Sequence, residues 1–290
     1  MSWILLALGT LLLFASAAAW GASVIFHPPR MIAHTIWPDQ FSLSFEKVQF
    51  QTDDGLLLRG WLISARKPVR RALLCCHGWG DNKGDLLKRI HFLADEFNLF
   101  LFDSRSHGES EGKITGNGFL EARDFAAALR FLQERRPEWV SLGLYGLSMG
   151  AVMAIQGMAD RPVFACAAFE SPYRSFREVV AQFSKNNYRL PYFPFVWAVL
   201  LAVSWRLRAD PESCSPALHI GRLPKKPLLF IAAENDPLMP VPVVRWLYER
   251  AASPKEFYLV AGAFHANCWE AGGEEYRRRL TSFFKEHLPD

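Results

Sequence analysis

The segment Gly146-Leu147-Ser148-Met149-Gly150 constrains the fold of this chain more than any other. It follows an apolar run, residues 139–145, and precedes a helix-prone stretch, residues 151–158. A strand that passes into a helix through so sharp a turn needs nearly side-chain-free positions two residues before and two residues after the serine. The pattern predicts a nucleophile elbow, in which Ser148 is the candidate nucleophile at the top of a sheet.

The composition is that of one large folded domain. The chain has 290 residues, of which 50% are hydrophobic and 14% aromatic, enough for a well-buried α/β core. Its 33 basic and 29 acidic side chains are spread along the sequence and give a net charge of +4. Because the basic residues form no stripe, we expect no nucleic-acid partner.

The five cysteines are expected to be small buried thiols. No Cys-x-x-Cys or Cys/His spacing resembles a metal site, so we expect no metal. The chemistry considered below requires no cofactor either. Cys75 and Cys76 are adjacent in an apolar run, where neighbours on a strand point to opposite faces and cannot easily form a disulfide.

The first 26 residues contain no charged side chain. Because about 20 apolar residues suffice for a helix to cross a bilayer, we expect residues 1–27 to be a single-pass membrane anchor. A cleaved signal peptide is the competing interpretation, since residues 15–19 fit the small-residue cleavage pattern, but no Lys or Arg forms a basic n-region. Arg30 and Lys47 follow the apolar segment and nothing basic precedes it, which favours a cytoplasmic C-terminal domain.

Strands and helices are expected to alternate from residue 45 onward, after a linker over residues 28–44. The turn signal Asp53-Asp54-Gly55 predicts a hairpin. The predicted strands cover residues 44–50, 56–63, 72–76, 99–102, 140–145, 164–169, 228–232 and 257–260, and the first predicted helices cover residues 83–97 and 119–134. This order predicts an α/β fold over residues 45–290, with a mostly parallel sheet covered by helices on both faces.

Residues 173–223 interrupt this alternation, because about fifty residues between two strands exceed an ordinary crossover. The segment is rich in aromatic residues and proline, and we expect it to form a cap over the site. Within it, residues 193–205 are apolar nearly all round and too short to span a bilayer. Three interpretations of this stretch are open: it lines an acyl pocket, dips into a membrane surface, or packs as core.

A serine hydroxyl is a poor nucleophile at neutral pH and needs a histidine as base and a carboxylate that holds the imidazole. His265 directly follows the last predicted strand, and Asp236 follows the strand over residues 228–232. Glu234 is a rival acid, but its spacing from the strand fits less well than that of Asp236. The order Ser148, Asp236, His265 therefore predicts a catalytic triad.

An oxyanion needs two converging backbone N–H groups, one of them from the residue after the nucleophile and the other from a loop after an earlier strand. The loop His77-Gly78-Trp79-Gly80 follows such a strand and is rich enough in glycine to approach a ligand closely. We expect the N–H groups of Met149 and Trp79 to be the donors. His77 is expected to orient the loop rather than to act as a base.

From about residue 45 to the C-terminus, the chain resembles the α/β-hydrolase superfamily. The resemblance rests on five motifs in order: the loop His77-Gly78, the Asp-x-Arg-x-x-Gly-x-Ser turn from Asp103 to Ser110, the elbow at Ser148, the acid loop at Asp236 and the histidine loop at His265. It implies the α/β-hydrolase fold, and it implies that Asp103, Arg105 and His107 support the architecture rather than the chemistry. The apolar N-terminus and short cap are similar to those of membrane-anchored bacterial hydrolases of the lysophospholipase, thioesterase or serine-aminopeptidase type.

These features predict a serine hydrolase that cleaves a carboxylic ester or thioester of an acyl or lipid-like substrate through an acyl-enzyme. A serine aminopeptidase is the alternative enzyme and would need an acidic pair near the cap. The acidic residues available for such a pair are Glu170, Glu178, Asp210 and Glu212. A catalytically silent binding protein on the same fold is the alternative from a different class.

Overall fold

The computed structural model describes residues 2–30, 35–252 and 254–290. Within these ranges an eight-stranded sheet runs in the order β1-β2-β4-β3-β5-β6-β7-β8. The strands are β1 (Phe45–Gln51), β2 (Leu57–Ile63), β3 (Arg71–Cys76), β4 (Asn98–Phe102), β5 (Ser141–Leu147), β6 (Cys166–Glu170), β7 (Leu228–Ala233) and β8 (Lys255–Val260). β2 is antiparallel to β1 and β4, and the other neighbours are parallel. The predicted mostly parallel sheet is confirmed.

The helices lie between and around these strands. They are α1 (Ser2–Phe26), α2 (Lys83–Ile90), α3 (Glu121–Arg135), α4 (Met149–Asp160), α5 (Phe176–Tyr188), α6 (Trp197–Leu207), α7 (Pro216–His219), α8 (Val241–Arg250), α9 (Cys268–Ala271) and α10 (Gly273–His287). The predicted helix over residues 83–97 was too long, because α2 ends at Ile90 and a separate 3-10 turn, His91–Asp95, leads into β4.

Side chains of the sheet alternate between two buried clusters, one on each face. On β3, Leu74 and Cys76 belong to the cluster that includes α3, α4 and α8, whereas Leu73 and Cys75 belong to the cluster that includes α2 and α10. This alternation follows from the two-residue period of a strand. It separates the Cys75 and Cys76 thiols, and all five cysteines are free and buried, as predicted.

Three helices, α5, α6 and α7, fill the long connection between β6 and β7. The chain bends by 115° between α5 and the segment Tyr192–Leu207. In α6 only Ala198 and Val203 are buried, and several large apolar side chains of the connection face outward. These are Phe193, Trp197, Leu201 and Trp205, with exposed fractions from 45 to 80%. The stretch over residues 193–205 therefore does not pack as core on all its sides.

The N-terminal helix α1 is apolar throughout, and residues Trp3–Phe26 are long and apolar enough to cross a membrane. Ala22 and Phe26 are buried on the body of the protein. A Cβ added to Gly21 would lie 2.6 Å from a methyl group of Val199 on α6, and the rings of Phe14 and Phe195 are 5.8 Å apart. The C-terminal half of α1 is thus packed closely against the connection that contains α6.

The Asp103–Ser110 turn contains a buried ion pair. The Lys83 ammonium lies 2.5 Å from a carboxylate oxygen of Asp103, and both side chains are fully buried. Lys83 also pairs with Glu109 at 2.6 Å, and the backbone N–H groups of Lys83 and Glu109 donate to the Asp103 carboxylate. These contacts fasten the start of α2 to the turn that follows β4.

Replacing Lys83 should therefore destabilise the fold strongly. Lys83→Met removes the cation that pairs with the buried Asp103, and we expect the free energy of unfolding to fall by about 3–5 kcal/mol. Lys285→Met is the matched control, because Lys285 pairs with Glu96 at the surface, where such a pair contributes about 1 kcal/mol or less. Denaturant unfolding in mild detergent measures both variants, and equal losses would contradict the structural role of Lys83.

Candidate active site

Ser148 lies in a strained turn between β5 and α4. Its φ is 54° and its ψ is −117°, a conformation that L-residues rarely adopt. The turn is possible because its flanking positions carry no side chain. A Cβ on Gly146 would collide with the backbone of Gly150 and Ala151, and a Cβ on Gly150 would collide with the backbone of Cys76. The local sequence therefore brings the serine hydroxyl to the end of the sheet.

Loops after β7 and β8 bring Asp236 and His265 to this serine. His265 Nε2 lies 3.1 Å from Ser148 Oγ, and His265 Nδ1 lies 2.6 Å from Asp236 Oδ2. The other oxygen of Asp236 accepts hydrogen bonds from the backbone N–H groups of Leu238 and Met239, both at 2.9 Å. The three predicted residues thus form one continuous hydrogen-bonded chain, with distances that permit proton transfer from the hydroxyl to the imidazole.

The surroundings of Asp236 favour its charged form. Burial by itself would raise the pKa of this fully covered carboxyl group. The hydrogen bond and the charge of His265, together with the N–H groups of Leu238 and Met239, outweigh burial and hold the pKa below its ordinary value. Asp236 is therefore a carboxylate at neutral pH and is able to stabilise an imidazolium at His265.

The rival acid Glu234 lies elsewhere. Its side chain is exposed and accepts a hydrogen bond from the backbone N–H of Gly262 at 2.8 Å. This contact links the loop after β7 to the loop after β8. Glu234 thus braces the two loops, whereas Asp236 contacts the imidazole.

The loop after β3 lies directly beside Ser148. A Cβ placed on Gly78 would be 3.5 Å from the Cβ of Ser148. Two ring nitrogens hold the loop: His77 Nε2 accepts from the N–H of Ser104 at 2.9 Å, and His107 Nε2 accepts from the N–H of Gly80 at 3.1 Å. His77 and His107 therefore shape the loop that carries Trp79.

Met149, the other expected oxyanion donor, is the first residue of α4. The N–H groups of the first helical turn lack acceptors within the helix and carry the positive end of its dipole. Met149 follows Ser148 directly, and Trp79 lines the same cavity as Ser148. Both backbone groups therefore belong to segments that adjoin the serine hydroxyl.

A cavity of about 450 Å³ opens above Ser148 and His265. Its walls are almost entirely apolar. They come from α1, from α5, from the stretch over residues 190–199 and from the loop after β7. The lining residues outside α1 include Val179, Phe183, Phe195, Val199, Leu238 and Met239. An extended apolar group is the kind of ligand that such walls favour.

The sequence did not predict that α1 would form part of this cavity. Phe14, Ala17, Ala18, Gly21, Val24 and Ile25 line it, although α1 was expected to act as an anchor alone. A signal for this role exists in the sequence. Small residues, Ala18, Gly21 and Ala22, recur at helical spacing in a segment otherwise rich in leucine, and such a face permits close packing.

Comparison with known proteins agrees with this geometry. A family model described as alpha/beta hydrolase family matches residues 73–269. The chain belongs to this family. Protein YqkD of Bacillus subtilis is 30% identical over 234 residues, covering 79% of this chain and 75% of YqkD. The membrane protein YNL320W of Saccharomyces cerevisiae is 26% identical over 230 residues, covering 76% of this chain and 72% of the yeast protein.

Among solved structures, the Pyrococcus furiosus esterase Pf2001 superimposes with a TM-score of 0.76 at 26% identity. The match covers 91% of this chain and 99% of the esterase. The resemblance to the α/β-hydrolase superfamily is thereby confirmed, and so is the predicted fold. Together, the family and the esterase neighbour support a hydrolase activity.

The buried His107 should make stability dependent on pH. Burial, and then the nearby His77, lower the pKa of His107 from 6.5 to about 3. As the pH falls from 6.5 towards 3, the unfolded chain binds a proton that the folded protein does not bind, so stability is lost by up to about 1.4 kcal/mol per pH unit. Above pH 6.5 this contribution is constant.

His107→Gln should reduce this slope of unfolding free energy between pH 6.5 and pH 4, because glutamine does not titrate there and still offers an acceptor to Gly80. Urea unfolding in detergent at a series of pH values measures the slope. His27→Gln, at an exposed histidine, is the control and should keep the slope of the wild type. A slope unchanged in His107→Gln would contradict the role assigned to burial.

Proposed function

We propose that this protein is a serine hydrolase that cleaves carboxylic esters or thioesters of an acyl or lipid-like substrate. The observation that carries the proposal is the chain of hydrogen bonds from Ser148 Oγ through His265 to Asp236. A hydroxyl, an imidazole and a carboxylate in this arrangement are suited to covalent acyl transfer. The apolar cavity above them supports an acyl group as the part of the substrate that is bound.

In the first half of the reaction, the Ser148 hydroxyl attacks the substrate carbonyl carbon while His265 Nε2 accepts its proton. Asp236 holds the imidazole by its Nδ1–H and stabilises the positive charge that forms on the ring. The carbonyl oxygen becomes an oxyanion, to which the N–H groups of Trp79 and Met149 would donate. The tetrahedral intermediate then collapses, and its bond to the leaving oxygen or sulfur breaks while His265 donates the proton that came from Ser148, so that the leaving group departs as an alcohol or thiol.

In the second half, a water molecule replaces the leaving group. His265 accepts a proton from this water, whose oxygen attacks the acyl carbon of the Ser148 ester. The second tetrahedral intermediate collapses, releases the carboxylic acid and returns the proton from His265 to Ser148. No residue needs a redox change or an added cofactor in this cycle.

Within this proposal, residues 1–27 are the membrane anchor and residues 173–223 the cap of a hydrolase domain over residues 45–290. The apolar helix α1 and the similarity to a yeast membrane protein support the anchor. Arg30 and Lys47, which follow α1, favour a domain on the cytoplasmic side.

The aminopeptidase alternative receives less support from the acidic residues near the cap. Glu170 is buried against the hydroxyls of Tyr145 and Tyr276, Glu178 pairs with Arg174, and Glu212 accepts from the N–H of Arg177. Asp210 caps the turn before α7. None of these four described residues lines the cavity over Ser148, where a substrate ammonium group would have to be bound.

Covalent labelling tests the nucleophile. A fluorophosphonate probe should label the wild-type protein in detergent, and Ser148→Ala should abolish the labelling because the attacking oxygen is gone. Mass spectrometry of the labelled peptide locates the adduct. Folded wild-type protein that stays unlabelled would favour the silent binding protein over the enzyme.

Substitutions at Asp236 and Glu234 test which of the two is the acid of the proposed triad. Asp236→Asn should lower kcat for ester hydrolysis by about 10⁴, because an amide donates to the imidazole and favours the wrong tautomer. Glu234→Gln is the matched control two residues away and should leave kcat within about twofold of the wild type, since the Glu234 side chain accepts from the N–H of Gly262 and glutamine keeps an acceptor there. Equal losses in the two variants would argue against Asp236 as the triad acid.

A comparison of two substrate series distinguishes an esterase from a peptidase. We expect p-nitrophenyl acyl esters to be hydrolysed with a higher kcat/KM than aminoacyl p-nitroanilides, because the described residues that line the cavity are mostly apolar and include no carboxylate. Initial rates on both series with the same preparation give the comparison. Faster turnover of the anilides would overturn the preference for esters.

A further inference from the structure

The helix α1 contacts the loops beside the candidate active site. A segment that served only as a membrane anchor would not need these contacts. The indole Nε1–H of Trp79 donates to the carbonyl oxygen of Ile25 at 3.1 Å, and the N–H of Thr115 donates to the carbonyl oxygen of Phe26 at 2.9 Å. Arg30, just after the helix, donates to the carbonyl oxygen of Gly108 at 3.1 Å. The last turn of α1 is thus fixed to the loops beside Ser148.

One face of α1 is part of the cavity wall. Phe14, Ala18, Gly21 and Ile25 follow one another at spacings of four, three and four residues, which places them on one side of a helix. From Phe14 to Ile25 this face extends for about 16 Å along the helix axis. The cavity therefore extends from Ser148 along the helix, in the direction of the segment that would enter a membrane.

If α1 spans a bilayer, the thickness of the bilayer determines how deep in the membrane the cavity lies. From Trp3 to Phe14 the helix rises about 16 Å, roughly half of a hydrocarbon core of about 30 Å. The remaining half, from Phe14 to Phe26, is the part against which α6 packs. A spanning α1 therefore places α6 and the cavity beside the acyl chains of the leaflet nearest the hydrolase domain.

The surface of α6 suits this position. Its outward side chains Trp197, Leu201 and Trp205 are 45 to 80% exposed, although water is an unfavourable neighbour for them. Tryptophan is enriched where a protein meets the membrane interface. Arg206 and Arg208 follow directly at the end of α6, where cationic side chains can reach lipid phosphates.

We propose that α1 is the acyl-chain wall of the active site, and that the substrate is an acyl lipid drawn laterally from the adjoining leaflet. The proposal rests on the hydrolase function proposed above and adds its substrate source and a specificity determinant. The ester carbonyl lies at Ser148, the acyl chain extends along α1 between α5 and α6, and the side chain at position 18 sets the length of chain accommodated.

Variants of α1 in the full-length protein, reconstituted in phospholipid nanodiscs, test this role. The readout is the ratio of kcat/KM for p-nitrophenyl hexadecanoate to that for p-nitrophenyl butanoate. Ala18→Phe fills the cavity away from Ser148 and should lower the ratio by about tenfold or more. Ala19→Phe is the matched control, since Ala19 is exposed and outside the cavity, and it should leave the ratio unchanged.

A second variant, with a smaller change of side chain, keeps the test informative if Ala18→Phe does not fold. Val24→Ala enlarges the cavity and should move the ratio in the opposite direction to Ala18→Phe. Fluorophosphonate labelling of Ser148 in each variant reports whether the triad is intact. Equal ratios in Ala18→Phe, Val24→Ala and Ala19→Phe, with labelling preserved, would refute α1 as the wall.

Photo-crosslinking gives a readout that does not depend on catalysis. A hexadecanoyl glycerol carrying a diazirine near the end of its chain is added to nanodiscs that contain Ser148→Ala. Crosslinks should be found in the peptide over residues 14–25 and should decrease in Ala18→Phe. Crosslinks confined to other segments would overturn the proposal, whereas α1 crosslinks in a protein that hydrolyses no ester would count against the proposed function alone.

Discussion

The turn at Ser148 is the constraint on which the site depends. The backbone reverses there within one residue, and it can do so because Gly146 and Gly150 leave room for each other and for the end of β3. That close approach brings the loop after β3 against the serine. The parallel order of β5, β6, β7 and β8 then places the loops that carry Asp236 and His265 at the same edge. A side chain at either glycine would separate these parts.

Much of the fold could be predicted because its signals are local. Most strands are short apolar runs with turn residues beside them, and all eight expected segments are strands in the structure. The end of α2 at Ile90 was not predictable in this way. The residues that follow, His91–Asp95, continue the apolar periodicity of a helix while the backbone tightens into another kind of turn. The apolar periodicity indicates which face of a segment is buried, but it does not distinguish an α-helix from a 3-10 turn.

Features that depend on contacts distant in sequence were not predictable. Lys83 looks like a surface residue in the sequence, yet it is fully buried because Asp103 and Glu109 approach it from the turn after β4. Residues 193–205 are apolar on all sides, so their pattern could not indicate which side faces the cavity and which faces outward. The proximity of Ser148, Asp236 and His265 was easier to predict, since each of the three residues follows a strand and the sheet determines where strands end.

The hydrogen bond between the indole of Trp79 and the last turn of α1 has a practical consequence. Hydrophobic leaders are commonly deleted to obtain a recombinant enzyme that dissolves without detergent. A chain shortened in that way loses the carbonyl oxygen that accepts the hydrogen bond of this indole. It also loses one wall of the cavity above Ser148. The cavity of such a chain would be open on the side of α1, so a truncated preparation is a poor guide to the ligands that the intact protein accommodates.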